Sequence, residues 1–177
     1  MISKTIGTGA VGLALCLFTL AAPKPARPDD PKPNFGGTWI MAVEKSFGQP
    51  KDMRQTMTVT QTEEQMTVET KLILPESERI LKDTYMLDGQ EHDFTPGAPL
   101  NAPPDAPPAK GKRTVTWLPN SAGILVTDVI TNETPKGPTT LQVARKWTIN
   151  RDGELTITNF IDAPNGSYET KRVFTKK

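Results

Sequence analysis

The sequence predicts an all-β protein, an antiparallel up-and-down β-barrel of eight to ten strands. Between its proline-rich tracts, the chain is made of short alternating segments rich in threonine, valine and methionine, residues that suit a pleated surface. Tight-turn pairs separate these segments, with Asp-Gly at 88–89 and 152–153 and Asn-Gly at 165–166, and such pairs supply the positive φ of hairpin turns. So many hairpin-linked strands leave two edges unless the sheet closes into a barrel.

The first 21 residues are predicted to be a secretory signal peptide. Lys4 supplies a positive start, the stretch VGLALCLFTLAA is apolar, and small residues follow at Ala21 and Ala22. This layout is typical of an export signal, and the apolar run is too short for a membrane-spanning helix. The sequence therefore predicts an exported protein, periplasmic or extracellular, with cleavage after Ala21.

Cys16 allows a second interpretation of the same segment. LALC resembles the lipobox at which bacterial lipoproteins receive a lipid anchor, but Leu15 stands where a small residue is expected. We therefore expect Cys16 to be removed with the signal peptide, and membrane anchoring follows only if Cys16 is lipidated. Without this single cysteine the mature chain has no disulfide and no thiolate chemistry.

Two proline-rich segments interrupt or precede the strands. Residues 22–34 combine repeated proline with charge, which is typical of an extended, disordered spacer, so the barrel domain is expected to span 35–177. Residues 95–112 lack backbone donors at many positions and are predicted to form one long external loop, of a length that is often functional or mobile. A small basic group beside this loop is interpreted as a solvated tip, namely Lys110, Lys112 and Arg113.

The strands are placed in order between the turn signals, and no window shows a helical stripe long enough to compete with them. Each predicted strand has the length that is usual in globular proteins or slightly more. The predicted strands are 36–44, 54–62, 65–74, 79–87, 90–95, 112–118, 124–134, 139–149, 154–161 and 167–175.

Charge and motifs exclude several kinds of partner. The chain has 21 basic and 20 acidic side chains, and such a neutral balance gives no basic patch for nucleic acids or anionic membranes. His92 is the only histidine and stands between Glu91 and Asp93, without the spacing of a metal site or a catalytic relay. We therefore predict no nucleic-acid partner, no metal, no cofactor and no enzymatic activity.

The first predicted strand opens with Phe-Gly-Gly-Thr-Trp at residues 35–39. In an up-and-down barrel the first strand closes against the last, where a large aromatic side chain can plug the narrow end and a nearby glycine lets the backbone bend. Gly37 and Trp39 are therefore the candidate barrel-closure residues. The motif is similar to the Phe-x-Gly-x-Trp of fatty-acid-binding proteins and to the Gly-x-Trp of lipocalins.

The C-terminal segment 143–177 carries the same resemblance. Asp-Gly-Glu-Leu at 152–155 matches a hairpin of the fatty-acid- and retinoid-binding proteins, and Arg-Val-Phe at 172–174 matches their closing motif. The chain thus resembles the calycin superfamily and, within it, small uncharacterised exported bacterial proteins with a lipocalin-like domain. The resemblance implies a closed barrel around a small-molecule site. It covers the two ends of the domain, while the middle shares only the rhythm of the strands.

Three features depart from the fatty-acid-binding proteins. Residues 44–53 are too few for the two-helix lid that those proteins insert after the first strand, and Phe174 replaces the tyrosine of the closing motif. Those proteins are also cytosolic, whereas this chain carries a predicted export signal. The resemblance therefore supports the calycin architecture rather than membership of that branch.

The two-residue period of a strand assigns the inward faces. On strand 139–149, four of the five residues on one face are apolar, so this face is predicted to point inward and to carry Arg145 with it. The last strand likewise groups Arg172 with aromatic residues. The candidate ligand-binding residues on the inward faces are Asp128, Arg145, Trp147, Tyr168, Arg172 and Phe174.

A buried guanidinium is too costly to leave unpaired, and two interpretations are open for each arginine. In the first, a ligand carboxylate accepts its hydrogen bonds; in the resembling family, arginines at these two motif positions bind the fatty-acid head group. In the second, Asp128 pairs with Arg145, and Arg172 lies over Trp39 in a cation–π contact. The sequence favours the second interpretation for Arg172 and leaves the two equal for Arg145.

Two functions fit these features, and a third, an enzyme, would need a polar cleft that holds a close-set acid and base. The favoured function is that of an exported, monomeric, non-enzymatic protein that holds a small hydrophobic ligand, with or without a carboxylate, in a barrel cavity of roughly several hundred Å³. The alternative is a structural or interaction protein of the cell envelope, with a filled core and no ligand. Methionines at 41, 57, 66 and 86 fit a pliable pocket and an ordinary core equally well.

Overall fold

The computed structural model describes residues 31–97, 108–134 and 137–177. The predicted signal peptide 1–21 with Cys16, most of the proline-rich spacer and the centre of the proline-rich loop lie outside the described residues. The described ranges fold into ten β-strands and two short 3₁₀ turns. Within them, no helix has both the length and the apolar character needed to cross a membrane.

The strands follow one another as a meander. They are β1 (Gly37–Met41), β2 (Arg54–Gln61), β3 (Gln65–Leu74), β4 (Ser77–Met86), β5 (Glu91–Phe94), β6 (Lys110–Trp117), β7 (Ile124–Thr134), β8 (Gly137–Ile149), β9 (Leu155–Ala163) and β10 (Gly166–Lys176). All ten belong to one antiparallel sheet in the order β4-β3-β2-β1-β10-β9-β8-β7-β6-β5. The predicted all-β barrel of eight to ten strands is therefore confirmed. It is closed by β1 against β10 and interrupted only between β4 and β5, which we call the seam.

Most predicted strands differ from the structure by one to three residues at an end, and two of these differences have a local reason. β1 ends at Met41 because residues Val43–Lys45 form a 3₁₀ turn, and the chain returns to the sheet only at Phe47, which pairs with Lys171 of β10. β6 begins at Lys110, inside the predicted loop 95–112. No proline occurs between Ala109 and Trp117, so every backbone donor of this segment is available to a sheet.

The two chain ends meet at the barrel closure. Trp39 lies opposite Lys176 in the register of β1 and β10, and its buried indole N–H donates to the carbonyl of Phe35 at 2.7 Å. Gly37 has a φ of +131°, and a Cβ there would lie 2.5 Å from the Lys176 side chain. The Lys176 side chain is flexible and could move aside, so it is the positive φ that favours glycine here.

The largest buried side chains fill one end of the barrel. We call this the closed end; it carries the turns at 62–64, 87–90, 118–123 and 150–154, and the opposite end is the open end. The side chains that fill it are nearly inaccessible to solvent and include Phe35, Trp39, Met41, Met57, Met66, Trp147, Leu155 and Phe174. Burial on this scale is the main source of stability for a domain whose described residues contain no cysteine.

The last residues of the predicted spacer lie against the closed end. Gln61 accepts a hydrogen bond from the Phe35 backbone at 2.8 Å and donates to the Pro33 carbonyl at 3.3 Å. Lys32 places its ammonium 4.8 Å from the ring centroid of Trp117. Contacts with the barrel therefore begin a few residues before Phe35.

Candidate functional site

The strand register arranges the inward side chains of β6 to β10 in rows across the barrel wall. Of three consecutive rows, the one toward the open end contains Arg113, Asp128, Val143, Ile161 and Tyr168. The next contains Val115, Val126, Arg145, Asn159 and Thr170. The third contains Trp117, Ile124, Trp147, Ile157 and Arg172. Three arginines and one aspartate therefore face the interior on consecutive rows.

A pocket of about 300 Å³ lies along these rows, between the packed closed end and the open end. Its wall combines apolar side chains with two arginines and two neutral polar residues. The lining residues are Gly48, Leu141, Val143, Arg145, Asn159, Ile161, Tyr168, Thr170 and Arg172. The Asn159 amide donates to the Thr170 hydroxyl at 2.8 Å. The two arginines are the charged groups of this wall.

Asp128 is fully buried and accepts hydrogen bonds from two arginines. Arg113 donates from Nε to Oδ1 at 2.7 Å and from Nη2 to Oδ2 at 2.9 Å, which is the bidentate geometry of a strong arginine–carboxylate pair. Arg145 donates from Nη1 to Oδ2. The structure therefore agrees with the second interpretation for Arg145, in which Asp128 supplies the carboxylate.

Arg113 corrects the sequence-based interpretation of the basic tip. Lys110 and Lys112 are exposed, but Arg113 is only 4% exposed, so placing it in solvent was wrong. It follows the inward phase of β6 together with Val115, which is also buried. This two-residue period is the signal that could have located Arg113 inside the barrel.

The Arg113 side chain spans the seam. Its Nη1 donates to Asp83 at 3.0 Å and to the Thr84 carbonyl at 3.3 Å, both on β4. Its guanidinium also lies 4.5 Å from the ring centroid of Tyr85 and 3.9 Å from that of Phe94. Arg113 therefore connects β6 to β4 across the place where backbone pairing is missing, because β5 has only four residues.

Arg172 differs from the other two arginines because no acidic side chain pairs with it in the part of the chain that the structure describes. Its row neighbours Ile157 and Trp147 are apolar, and its Nε is buried without a hydrogen-bond partner. Burial, followed by the positive charge of Arg145, lowers the pKa of Arg172, but a guanidinium still keeps its proton in a protein.

The expected contact between Arg172 and Trp39 is not formed, so that prediction was wrong. The cation over Trp39 is Lys176, with its ammonium 5.4 Å from the ring centroid. Both cations are in the inward phase of β10, and the register of β1 with β10 places Lys176, not Arg172, opposite Trp39. Arg172 lies further toward the open end, at the pocket.

The described interior therefore carries an excess of positive charge. Three guanidinium groups face it, and the only fully buried carboxylate is that of Asp128. Asp83 adds a second carboxylate, but its side chain is partly exposed at the seam and pairs with Arg113. One positive charge, that of Arg172, is left without a counterion, and such a site attracts an anion.

Comparison with known proteins finds solved structures that are similar to this chain. Neither a family model nor a curated protein sequence matches the chain. A structure titled REP1-NXSQ fatty acid transporter is 13% identical, with a TM-score of 0.49, and the match covers 80% of this chain and 95% of that one. Zebrafish ileal bile acid-binding protein in complex with cholic acid is 17% identical, with a TM-score of 0.48, and the match covers 81% of this chain and 98% of that one. Secretory abundant heat soluble protein 4 from Ramazzottius varieornatus is 15% identical, with a TM-score of 0.46, and the match covers 80% of this chain and 94% of that one.

The architecture is calycin-like. What shows this is the ten-stranded antiparallel meander, in which the first strand closes on the last and one seam separates β4 from β5. All three matched structures share less than 20% identity with this chain.

The calycin-like barrel separates the six candidate ligand-binding residues into two groups. Asp128 is engaged by arginines, and Trp147 and Phe174 belong to the packed core. Tyr168 is 57% exposed at the open end. The candidates that line the pocket are Arg145, Tyr168 and Arg172.

Tyr85 gives the calycin-like barrel a specific sensitivity to alkali. Burial raises the pKa of the Tyr85 hydroxyl to about 12, whereas an unfolded tyrosine titrates near pH 10. Between those values the folded state keeps a proton that the unfolded state has lost. The contribution to stability is therefore complete below about pH 10 and is lost by roughly 1.4 kcal/mol per pH unit up to about pH 12.

Tyr85→Phe is expected to remove this part of the alkaline loss. The measurement is the free energy of unfolding in urea at intervals from about pH 9 to pH 12, for the original protein and for Tyr85→Phe. Lysines that titrate in the same range affect both proteins alike, so the difference between the two curves isolates Tyr85. Two curves that fall in parallel would contradict the assignment.

Proposed function

We propose that this protein is a non-enzymatic binding protein that holds a hydrophobic monoanion, a carboxylate, in the pocket of its barrel. We further propose that it acts outside the cytoplasm after export, on the pattern of residues 1–21. The observation that carries the binding proposal is Arg172, a guanidinium in the pocket wall with no acidic partner among the described residues.

The chemistry of the pocket supports this choice of ligand. A guanidinium taken from water is stabilised best by a carboxylate, which accepts two parallel hydrogen bonds. Leu141, Val143 and Ile161 supply an apolar wall above it, which suits an aliphatic group. Arg145 shares its charge with Asp128, so the net attraction for an anion comes from Arg172.

Calorimetric titration with decanoate and with decanol tests the proposal. The two ligands share a tail, and only decanoate carries the charge that Arg172 would bind. Hydrogen bonds to charged groups contribute roughly 1.5–3 kcal/mol, so we expect decanoate to bind about 10- to 100-fold more tightly. In Arg172→Met the two affinities should become equal.

Arg151→Met is the matched control, because Arg151 is exposed in the β8–β9 turn. This variant should keep the preference of the original protein for decanoate. Equal binding of decanoate and decanol by the original protein, or an unchanged preference in Arg172→Met, would contradict a carboxylate site at Arg172.

A structural or interaction role is the second candidate function. The packed closed end supports it, since Trp39, Trp147 and Phe174 fill much of the barrel. Exposed aromatic side chains at Phe47 and Phe160 offer apolar surface to a partner protein. The same titration separates the two functions, because a protein of this kind takes up neither decanoate nor decanol.

A further inference from the structure

The seam leaves one long strand edge uncovered. β4 pairs only with β3, and β5 pairs only with β6. The turn at 87–90 joins β4 to β5 at the closed end, but β4 has ten residues and β5 has four. Toward the open end β4 therefore extends past β5, and no strand in the part of the chain that the structure describes pairs with this side of it. Such an edge offers a row of backbone donors and acceptors to another strand.

The even-numbered residues of β4 direct their backbone groups to the seam. The Thr84 carbonyl shows this, since it accepts a hydrogen bond from Arg113 across the seam at 3.3 Å. In an antiparallel strand the N–H and C=O of one residue point to the same side, and the side alternates along the strand. The backbone groups of Glu78, Ile80 and Lys82 therefore point to the seam as well.

The side chains of these three residues lie on the outer face of the barrel. Ile80 is 64% exposed, and Ile73 of the neighbouring strand β3 is also exposed. Glu78 and Lys82 flank Ile80 and are exposed too. Glu78 lies 2.9 Å from Lys71 of β3, but a surface ion pair of this kind is weak and leaves Glu78 able to face a second cation. The uncovered edge thus presents an acid, an apolar side chain and a base in a row.

This row is complementary to itself. When two copies of β4 meet antiparallel with Ile80 opposite Ile80, Glu78 of each copy lies opposite Lys82 of the other. In all three opposite pairs the backbone groups face each other, so each pair can exchange two hydrogen bonds. Opposite charges and apolar side chains that lie directly opposite stabilise a strand pair, whereas like charges in that position destabilise it.

No other symmetric register with the same backbone phase gives this match. A shift of two residues places Ile80 opposite Glu78 or opposite Lys82. A shift of four residues places Glu78 opposite Glu78, or Lys82 opposite Lys82, and both arrangements bring like charges together. The charges of β4 therefore select the register that is centred on Ile80.

We propose that this chain forms a two-fold symmetric dimer, in which β4 of one copy pairs with β4 of a second copy in the register centred on Ile80. This inference is independent of the proposed function, and it departs from the monomer that the sequence led us to expect. A two-fold contact of this kind uses the same surface on both copies and closes at two. Because it joins only two short strand segments, it belongs with the weak, reversible interfaces below roughly 1,200 Å².

Sedimentation velocity of the purified protein, at concentrations from about 1 μM to 1 mM, tests the dimer. We expect the sedimentation coefficient to rise with concentration toward that of a dimer. Glu78→Lys should stay monomeric because it sets a lysine opposite Lys82, and Lys82→Glu should stay monomeric because it sets a glutamate opposite Glu78. Glu169→Lys is the matched control, since it makes the same change of charge at an exposed position of β10, and it should dimerise like the original protein.

A mixture of the two variants tests the register. Glu78→Lys and Lys82→Glu should form a mixed dimer, visible by native mass spectrometry, because two lysines of the first then face two glutamates of the second. An original protein that stays monomeric at the highest concentration overturns the dimer, and a dimer that persists in both variants overturns the contact through β4. A mixture that stays monomeric overturns the register.

Ile80→Pro provides the test should either charge variant fail to fold. A proline at this position removes only a backbone N–H that points to the seam, and proline is tolerated in this way on an edge strand. We expect Ile80→Pro to stay monomeric, and a dimer as strong as that of the original protein would contradict pairing through β4.

Discussion

Asp128→Ala is expected to lower the free energy of unfolding by about 3–5 kcal/mol, the usual effect of removing one partner from a buried ion pair. Asp128 has no exposed surface and accepts hydrogen bonds from both Arg113 and Arg145. Without its carboxylate, two guanidinium groups remain in the interior, and Asp83 can compensate only Arg113. The loss should appear in urea unfolding as a lower midpoint with an unchanged slope.

Asp93→Ala is the matched control for this prediction. The Asp93 carboxylate is 89% exposed and lies 3.6 Å from the ammonium of Lys112, a surface pair of the kind that contributes about 1 kcal/mol or less. A loss in Asp128→Ala no larger than that in Asp93→Ala would contradict a structural role for the buried network. A variant that replaces Asp128, Arg113 and Arg145 together with apolar residues should recover part of the lost stability, because no buried charge is then left unpaired.

Arg172→Met should have the opposite effect on stability. In the empty barrel, Arg172 is a partly buried cation with an orphaned Nε and no acidic partner in the described ranges. Leaving such a group unsatisfied costs about 1–3 kcal/mol, and methionine replaces it with an apolar side chain of similar length beside Ile157 and Trp147. We expect Arg172→Met to raise the free energy of unfolding by about this amount in urea.

The same substitution is expected to abolish the preference for decanoate. Arg172→Met should therefore weaken the binding of decanoate and increase the stability of the protein. This opposition is typical of residues kept for function. Arg151→Met, at an exposed position, should change neither property. A loss of stability in Arg172→Met comparable to that in Asp128→Ala would indicate that Arg172 pairs within the protein, and the carboxylate site would then lose its basis.

The fold was predictable from the sequence because its signals are local. The Asp-Gly pair at 152–153 ends β8, and alternation alone defines β7 with its predicted bounds. The early end of β1 was not predictable in this way, since residues Val43–Lys45 continue the alternation of a strand. Only the return of Phe47 to β10 distinguishes the turn from a longer β1, and that contact joins distant parts of the chain.

The site was predictable as far as it depends on strand phase. The two-residue period placed Asp128 and Arg145 inside the barrel, and the structure pairs them. It did not place Arg113, because the neighbouring lysines resemble a solvated tip. The contact of Arg113 with Asp83 depends on the seam, where β6 meets a strand that is not its neighbour in sequence. Neither the β4 segment nor the β6 segment contains a local signal for the contact between Asp83 and Arg113.

The pairing of β1 with β10 has a consequence for the time course of folding. All other paired strands of the meander are consecutive in sequence. Trp39, in contrast, can pair with the segment around Lys176 only after all the intervening residues are available. Closing so long a loop is slow compared with forming a hairpin. A chain still emerging from the ribosome therefore cannot close the cylinder until β10 has been released.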